Sequence, residues 1–154
     1  MKKQDGYELH LTKKDKIVQF KFTSEGSKGS IEKVVEFSPL TKMRWNLGFG
    51  DIIGDDWSDT VITDNDDLRI VIQTVANAVY TFFESFPDHE VYIEPLDYQR
   101  KLLYNRTFQQ KWHEIEPIFI VKGIILNSLN PQSESYNPKK LFDLFVLKLR
   151  NRNF

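Results

Sequence analysis

The sequence predicts an α+β fold: a mostly antiparallel sheet opening with an N-terminal strand meander, one long amphipathic helix packed on it, then a second helix and C-terminal strands. Three observations carry this. Apolar residues alternate with polar ones through the first third, the period of a half-buried strand. From Leu68 the spacing turns helical. Twelve Phe, six Tyr and three Trp among 154 residues supply large rings for a core. A single domain over 1–154 is expected, with the meander over 1–63, the long helix over 64–87, and a strand, second helix and closing strands over 88–150.

Tyr7–Thr12 and Ile17–Thr23 are the first two strands, separated by a polar turn. The Gly/Ser stretch Ser24–Ser30 turns the chain into Ile31–Phe37. The breaker "SPL" leads to Lys42–Phe49, and Thr60–Thr63 is a fifth short strand. Leu68, Val71, Ile72, Val75, Val79, Phe82, Phe83 and Phe86 then form one helical stripe, ended by Pro87. Glu90–Pro95 is strand-like. Asp97 caps a helix over about Tyr98–Glu116, with Leu103 or Tyr104, Phe108, Trp112 and Ile115 as its stripe. Ile118–Leu126 is a β-branched strand and Asn127–Lys140 a polar loop. Leu141–Arg150 is read as a strand in preference to a helix, because it can pair with the preceding one.

The formal net charge of −1 argues against a general polyanion binder, though it allows a local basic patch. The absence of cysteine excludes disulfides, thiol nucleophiles and Cys-based metal centres. "MKKQDGYELHLTKKDK" has no apolar core of a signal peptide, and no run is apolar enough to span a bilayer. A cytoplasmic protein without membrane contact is expected.

Two stretches carry the candidate chemistry. Gly50–Asp67 holds seven aspartates and no cation. It fails as a helix–loop–helix calcium loop: counted from Asp64, Arg69 stands where glycine is needed and Val75 where glutamate is needed. Asp51, Asp59 and Asp64 would converge on a divalent cation only if the turn doubled back. The simpler expectation is structural. Gly54-Asp55 makes a strand turn, Asp64 or Asn65 caps the helix, and Asp66 and Asp67 favour its dipole from the first turn.

The second stretch is Asp97–Trp112. Arg100 and Lys101 occupy a first helical turn, where cations oppose the dipole. A bound anion would explain them, although Asp97 competes for the same place. Arg100, Tyr104 and Lys111 lie near one face, with Arg106 towards the side. Cations beside a ring suit single-stranded nucleic acid; the alternative is a solvated face, or pairing with aspartate. His10, His89 and His113 show no ligand spacing, and no nucleophile elbow or phosphate loop is present. Trp45, Trp57 and Trp112 are expected to be core or half-buried rings.

"NLGFGD" (Asn46–Asp51), "VITDNDD" leading into "VIQTVANAVYTFFESFP", and "RKLLYNR" (Arg100–Arg106) together resemble a family of uncharacterised bacterial proteins classed as a domain of unknown function. The likeness spans Leu47 to Gly123. In that family a small-residue turn precedes the arginine helix; here it reads "EPLDY", and Pro95 has no N–H to offer an anion. The resemblance implies a fold and a region of interest, and no activity.

The expected function is a non-enzymatic binding module in a bacterial cytoplasm, contacting nucleic acid or another anion through the Arg100–Lys111 helix. One alternative is a metal-dependent phosphoryl or nucleotide enzyme, with Asp51, Asp59 and Asp64 on the cation and Arg100 and Arg106 on phosphate. Another is one subunit of a two-protein module, with its patch near Trp57 or the final strand. No cofactor beyond a divalent cation is implied. Single-stranded nucleic acid, a protein partner and a second copy of the chain all remain open.

Overall fold

The computed structural model describes residues 5–58, 64–126 and 129–150. The chain is α+β, with two helices and mostly antiparallel strands among the described residues, as its patterning predicts. It divides into two compact units, Lys2–Phe86 and Pro87–Phe154.

The N-terminal unit runs β1 (His10–Lys14), β2 (Ile17–Gly26), β3 (Gly29–Pro39), β4 (Arg44–Ile53), β5 (Asp56–Ser58) and α1 (Leu68–Ser85), each strand antiparallel to the one before it. Val18, Phe20 and Phe22 of β2 lie opposite Phe37, Val35 and Lys33 of β3, all buried. This face meets α1: the Phe82 ring stacks 4.2 Å from Phe37 and stands edge-on 5.1 Å from Trp45. The alternation therefore buries one sheet face against the helical stripe, as expected of period-2 and period-3.6 patterns that meet.

Several boundaries differ from expectation. β1 begins at His10, not Tyr7, and all five of its residues are exposed. Tyr7 instead turns inward, its N–H donating to Thr74 Oγ1 at 2.8 Å and its ring stacking 5.9 Å from Phe22. β3 continues through the Ser38-Pro39 breaker, which a proline allows at a strand's last residue. α1 starts at Leu68, with Asp67 as N-cap, so Asp66 and Asp67 precede its first turn. Leu68 is exposed at the helix's first position, while Thr74 and Ala78 join the buried face. The helix stops before Pro87 as expected. The expected strand Thr60–Thr63 lies outside the described residues.

The C-terminal unit contains β6 (Glu90–Ile93), α2 (Tyr98–Ile115), β7 (Phe119–Ile124), β8 (Ser133–Ser135) and β9 (Leu144–Leu149), in the antiparallel order β6-β9-β7-β8. The last apolar segment is a strand that pairs with β7, as expected, and also with β6. Short β8 interrupts the polar loop, unforeseen in its Ser/Glu composition. Phe108 of α2 stacks 4.4 Å from Phe145 of β9. Buried Asn105 fixes the helix to the strand's approach: its amide donates to Phe142 O at 2.9 Å and accepts from Phe142 N at 2.9 Å. A backbone pair that enters the core is thus satisfied by a side chain. Among the described residues no helix is long and apolar enough to cross a membrane.

Candidate functional site

The acidic segment resolves into separate jobs. Gly54, at φ +63°, and Asp55 turn β4 into β5, as the sequence suggests. Asp51 is buried on β4 and forms a 2.6 Å ion pair with buried Lys33 on β3. Asp64 is exposed and accepts from the N–H of Asp66 at 3.0 Å, a local turn of the Asx kind. Asp59 lies outside the described residues. Among the described residues no group of three or more His, Cys, Asp or Glu gathers as a metal-binding set.

The helix-capping expectation needs correction. Neither Asp64 nor Asn65 caps α1, and the N-cap Asp67 makes no side-chain cap bond. Asp67 Oδ2 instead accepts from the Tyr7 hydroxyl at 2.6 Å and from the Ser24 hydroxyl. Burial first, and then this bond to Asp67, raise the Tyr7 phenol above its ordinary value. Asn65 is buried and holds the β2–β3 hairpin: its amide donates to Gly29 O at 2.8 Å, and its Oδ1 accepts from Lys28 N at 2.6 Å. These side chains serve the neighbouring hairpin because the chain enters α1 directly beside it.

On α2 the cap is as expected: Asp97 Oδ1 accepts from Arg100 N at 2.8 Å. The same carboxylate pairs with the Arg100 guanidinium at 2.9 Å. One residue thus satisfies both a free helix N–H and the cation that opposes the dipole. Lys101 pairs with Asp143 at 2.7 Å. That ammonium, then the N–H of Leu126, holds the Asp143 carboxyl below the ordinary aspartate value. Lys111 stands 3.8 Å from Glu114, and Arg106 is exposed. At about 100° per residue, Arg100, Tyr104 and Lys111 share an arc of about 40°, with Arg106 about 120° away.

Residues 3–150 match the sequence pattern of a family described as Family of unknown function (DUF6934). The chain belongs to this family. The match covers almost its whole length and bears out the resemblance carried by the G-x-G-D, capped-helix and arginine-helix motifs. No curated protein and no solved structure matches the chain.

The motifs themselves acquire physical meanings. In "GFGD", Gly48 leaves room for the Trp57 ring, Phe49 stacks 6.3 Å from Phe22, and Asp51 answers Lys33. In "RKLLYNR", Lys101 and Asn105 fasten the segment before β9. Sequence reasoning missed Lys33 and Asn105, and it gave Asn65 a capping role in place of the hairpin clamp. Lys33 had one signal, a charge at an inward position of an alternating strand. Asn105 had another, next to Arg106, a cation expected at the helix side, yet level with the buried stripe.

Proposed function

We propose that the chain is a binding module for an anionic partner, engaged through the strip of Arg100, Tyr104 and Lys111 on α2. Single-stranded nucleic acid is the partner class this strip fits: two cations for phosphates and a ring between them for a base. The observation that supports the reading is the sharing of one arc over about 16 Å of helix rise. Among the described residues Arg100 pairs with Asp97, whose side chain is 52% exposed while that of Arg100 is 12% exposed. The carboxylate side of the pair is open to solvent, so an incoming phosphate can compete with Asp97 for the guanidinium. Lys101 does not belong to the strip, because Asp143 already holds it. Arg106 adds long-range attraction from its own side of the helix.

The metal-dependent alternative has less support. Drawing Asp51 to a cation would break its 2.6 Å ion pair with buried Lys33.

The test is fluorescence anisotropy with labelled single-stranded DNA and RNA at two salt concentrations, comparing wild type with Arg100→Ala/Lys111→Ala. Affinity on the order of micromolar, weakening with salt and lost in the variant, is expected. No binding at low salt, or equal binding by the variant, ends the reading.

A further inference from the structure

A groove of about 580 Å³ lies in the N-terminal unit, where the β1–β2 turn, the β3–β4 connection and the end of α1 meet. Its floor is apolar: Val18, Trp45 and Phe86, with Trp45 and Phe86 rings 4.9 Å apart. Its rim is cationic. Lys13 comes from the end of β1, Lys16 from the β1–β2 turn and Lys42 from the β3–β4 connection, all exposed. Asp15 is the one carboxylate in the lining, so the ionised lining residues sum to 3 − 1 = +2 in a chain of net charge −1.

These lysines have no internal employment. Among the described residues none of the three side chains makes an ion pair or hydrogen bond. They do stand near the C-terminal end of α1, whose last turn carries no cation. That field is worth at most about 1 kcal/mol at a surface, and it does not require an apolar floor. The connection that carries Lys42 is already fastened: Leu40 N and Thr41 N donate to Arg44 O at 2.8 and 3.1 Å, and Arg44 N donates to Thr41 Oγ1 at 3.1 Å. A ligand would therefore meet a preformed rim.

We propose that this groove docks an acidic segment of a partner protein, with an apolar side chain on the Trp45–Phe86 floor and flanking carboxylates on Lys13, Lys16 and Lys42. The rim sets the sign of the partner. The floor calls for an apolar anchor, which a phosphate backbone lacks. Exposed Leu40 and Met43 extend the apolar surface past the groove, which favours a macromolecule over an enclosed small ligand. β1 ends the order of described strands, and its Lys13 and Lys14 repel an identical edge, which disfavours a second copy of the chain. This inference is independent of the α2 strip, which belongs to the other unit.

A random peptide display library selected on the full chain tests it. Selected peptides are expected to carry Asp or Glu around one Leu, Phe or Trp. Their affinity, measured by anisotropy, is expected to fall about tenfold or more in Lys13→Ala/Lys16→Ala/Lys42→Ala. It should persist in the matching triple arginine variant and in Arg100→Ala/Lys111→Ala. Leu40→Ser, an exposed change that spares the core, should weaken it without lowering the unfolding temperature. The proposal is overturned by selected peptides without acidic bias, by no selectable peptide, or by unchanged binding to the alanine variant. Oligo(dT) that competes at the groove and loses affinity with the same three lysines overturns the partner class.

Discussion

Lys33 on β3 and Asp51 on β4 face each other in register and share a 2.6 Å ion pair, with side chains only 1% and 6% exposed. The Lys33 ammonium also lies 5.8 Å from the centroid of the Phe49 ring. Each charge offsets the other's loss of hydration in this interior. Asp51→Ala is expected to cost about 3–5 kcal/mol in urea unfolding, whereas Lys33→Met/Asp51→Leu should stay within about 1–2 kcal/mol of wild type. A single variant as stable as wild type would show that the pair does not hold β3 to β4.

Gly48 is required by Trp57. A Cβ at Gly48 would stand 2.7 Å from the indole ring. Gly48→Ala should therefore displace the ring and destabilise the unit by about 1–3 kcal/mol, the usual range for overpacking. The Trp57 indole N–H resonance, assigned with Trp57→Phe, should move. An unmoved resonance would refute the contact.

The Lys101–Asp143 pair imposes a pH dependence. Asp143 has a depressed folded pKa, through Lys101 first and Leu126 N–H second. Its contribution is complete above the ordinary aspartate value of about 3.9 and is lost as pH falls through the lower folded value. Lys101→Met should reduce stability at neutral pH and flatten its decline in acid. Parallel stability–pH curves for variant and wild type would contradict this.

Within the acidic segment the substitutions should sort by partner. Asn65→Ala removes the hairpin's buried amide and is expected to cost about 1–3 kcal/mol, with faster amide exchange at Lys28. Exposed Asp55→Ala should change stability by less than about 0.5 kcal/mol. Equal effects at the two positions would show that net charge governs this segment, not the hairpin clamp.

The fold class was legible because periodicity is a local property. Phe20, Phe22, Val35 and Phe37 alternate whatever lies across from them, and the stripe through Val71, Val79 and Phe82 is written into their spacing. Asp97 was legible for the same reason, since a cap acts within its own turn. Partners distant in the chain were not: Asn65 serves a hairpin 36 residues before it at Gly29, and Asn105 a strand entry 37 residues after it. A hydrogen bond fixes distance and angle but leaves no periodic trace.

The amino-acid order by itself determined the fold class, the two helices and the longer strands, which faces are apolar, that Pro87 ends α1 and that Asp97 begins α2. Tertiary structure decided how each charge is used. It assigned Asp51 to Lys33, Asp67 to Tyr7 and Ser24, and Lys101 to Asp143, and it brought Lys13, Lys16 and Lys42 from a strand end and two connections to one rim. Secondary structure follows from steric and hydrophobic preferences a few residues long, whereas an ion pair or a cationic rim depends on distances that exist only once the strands have paired.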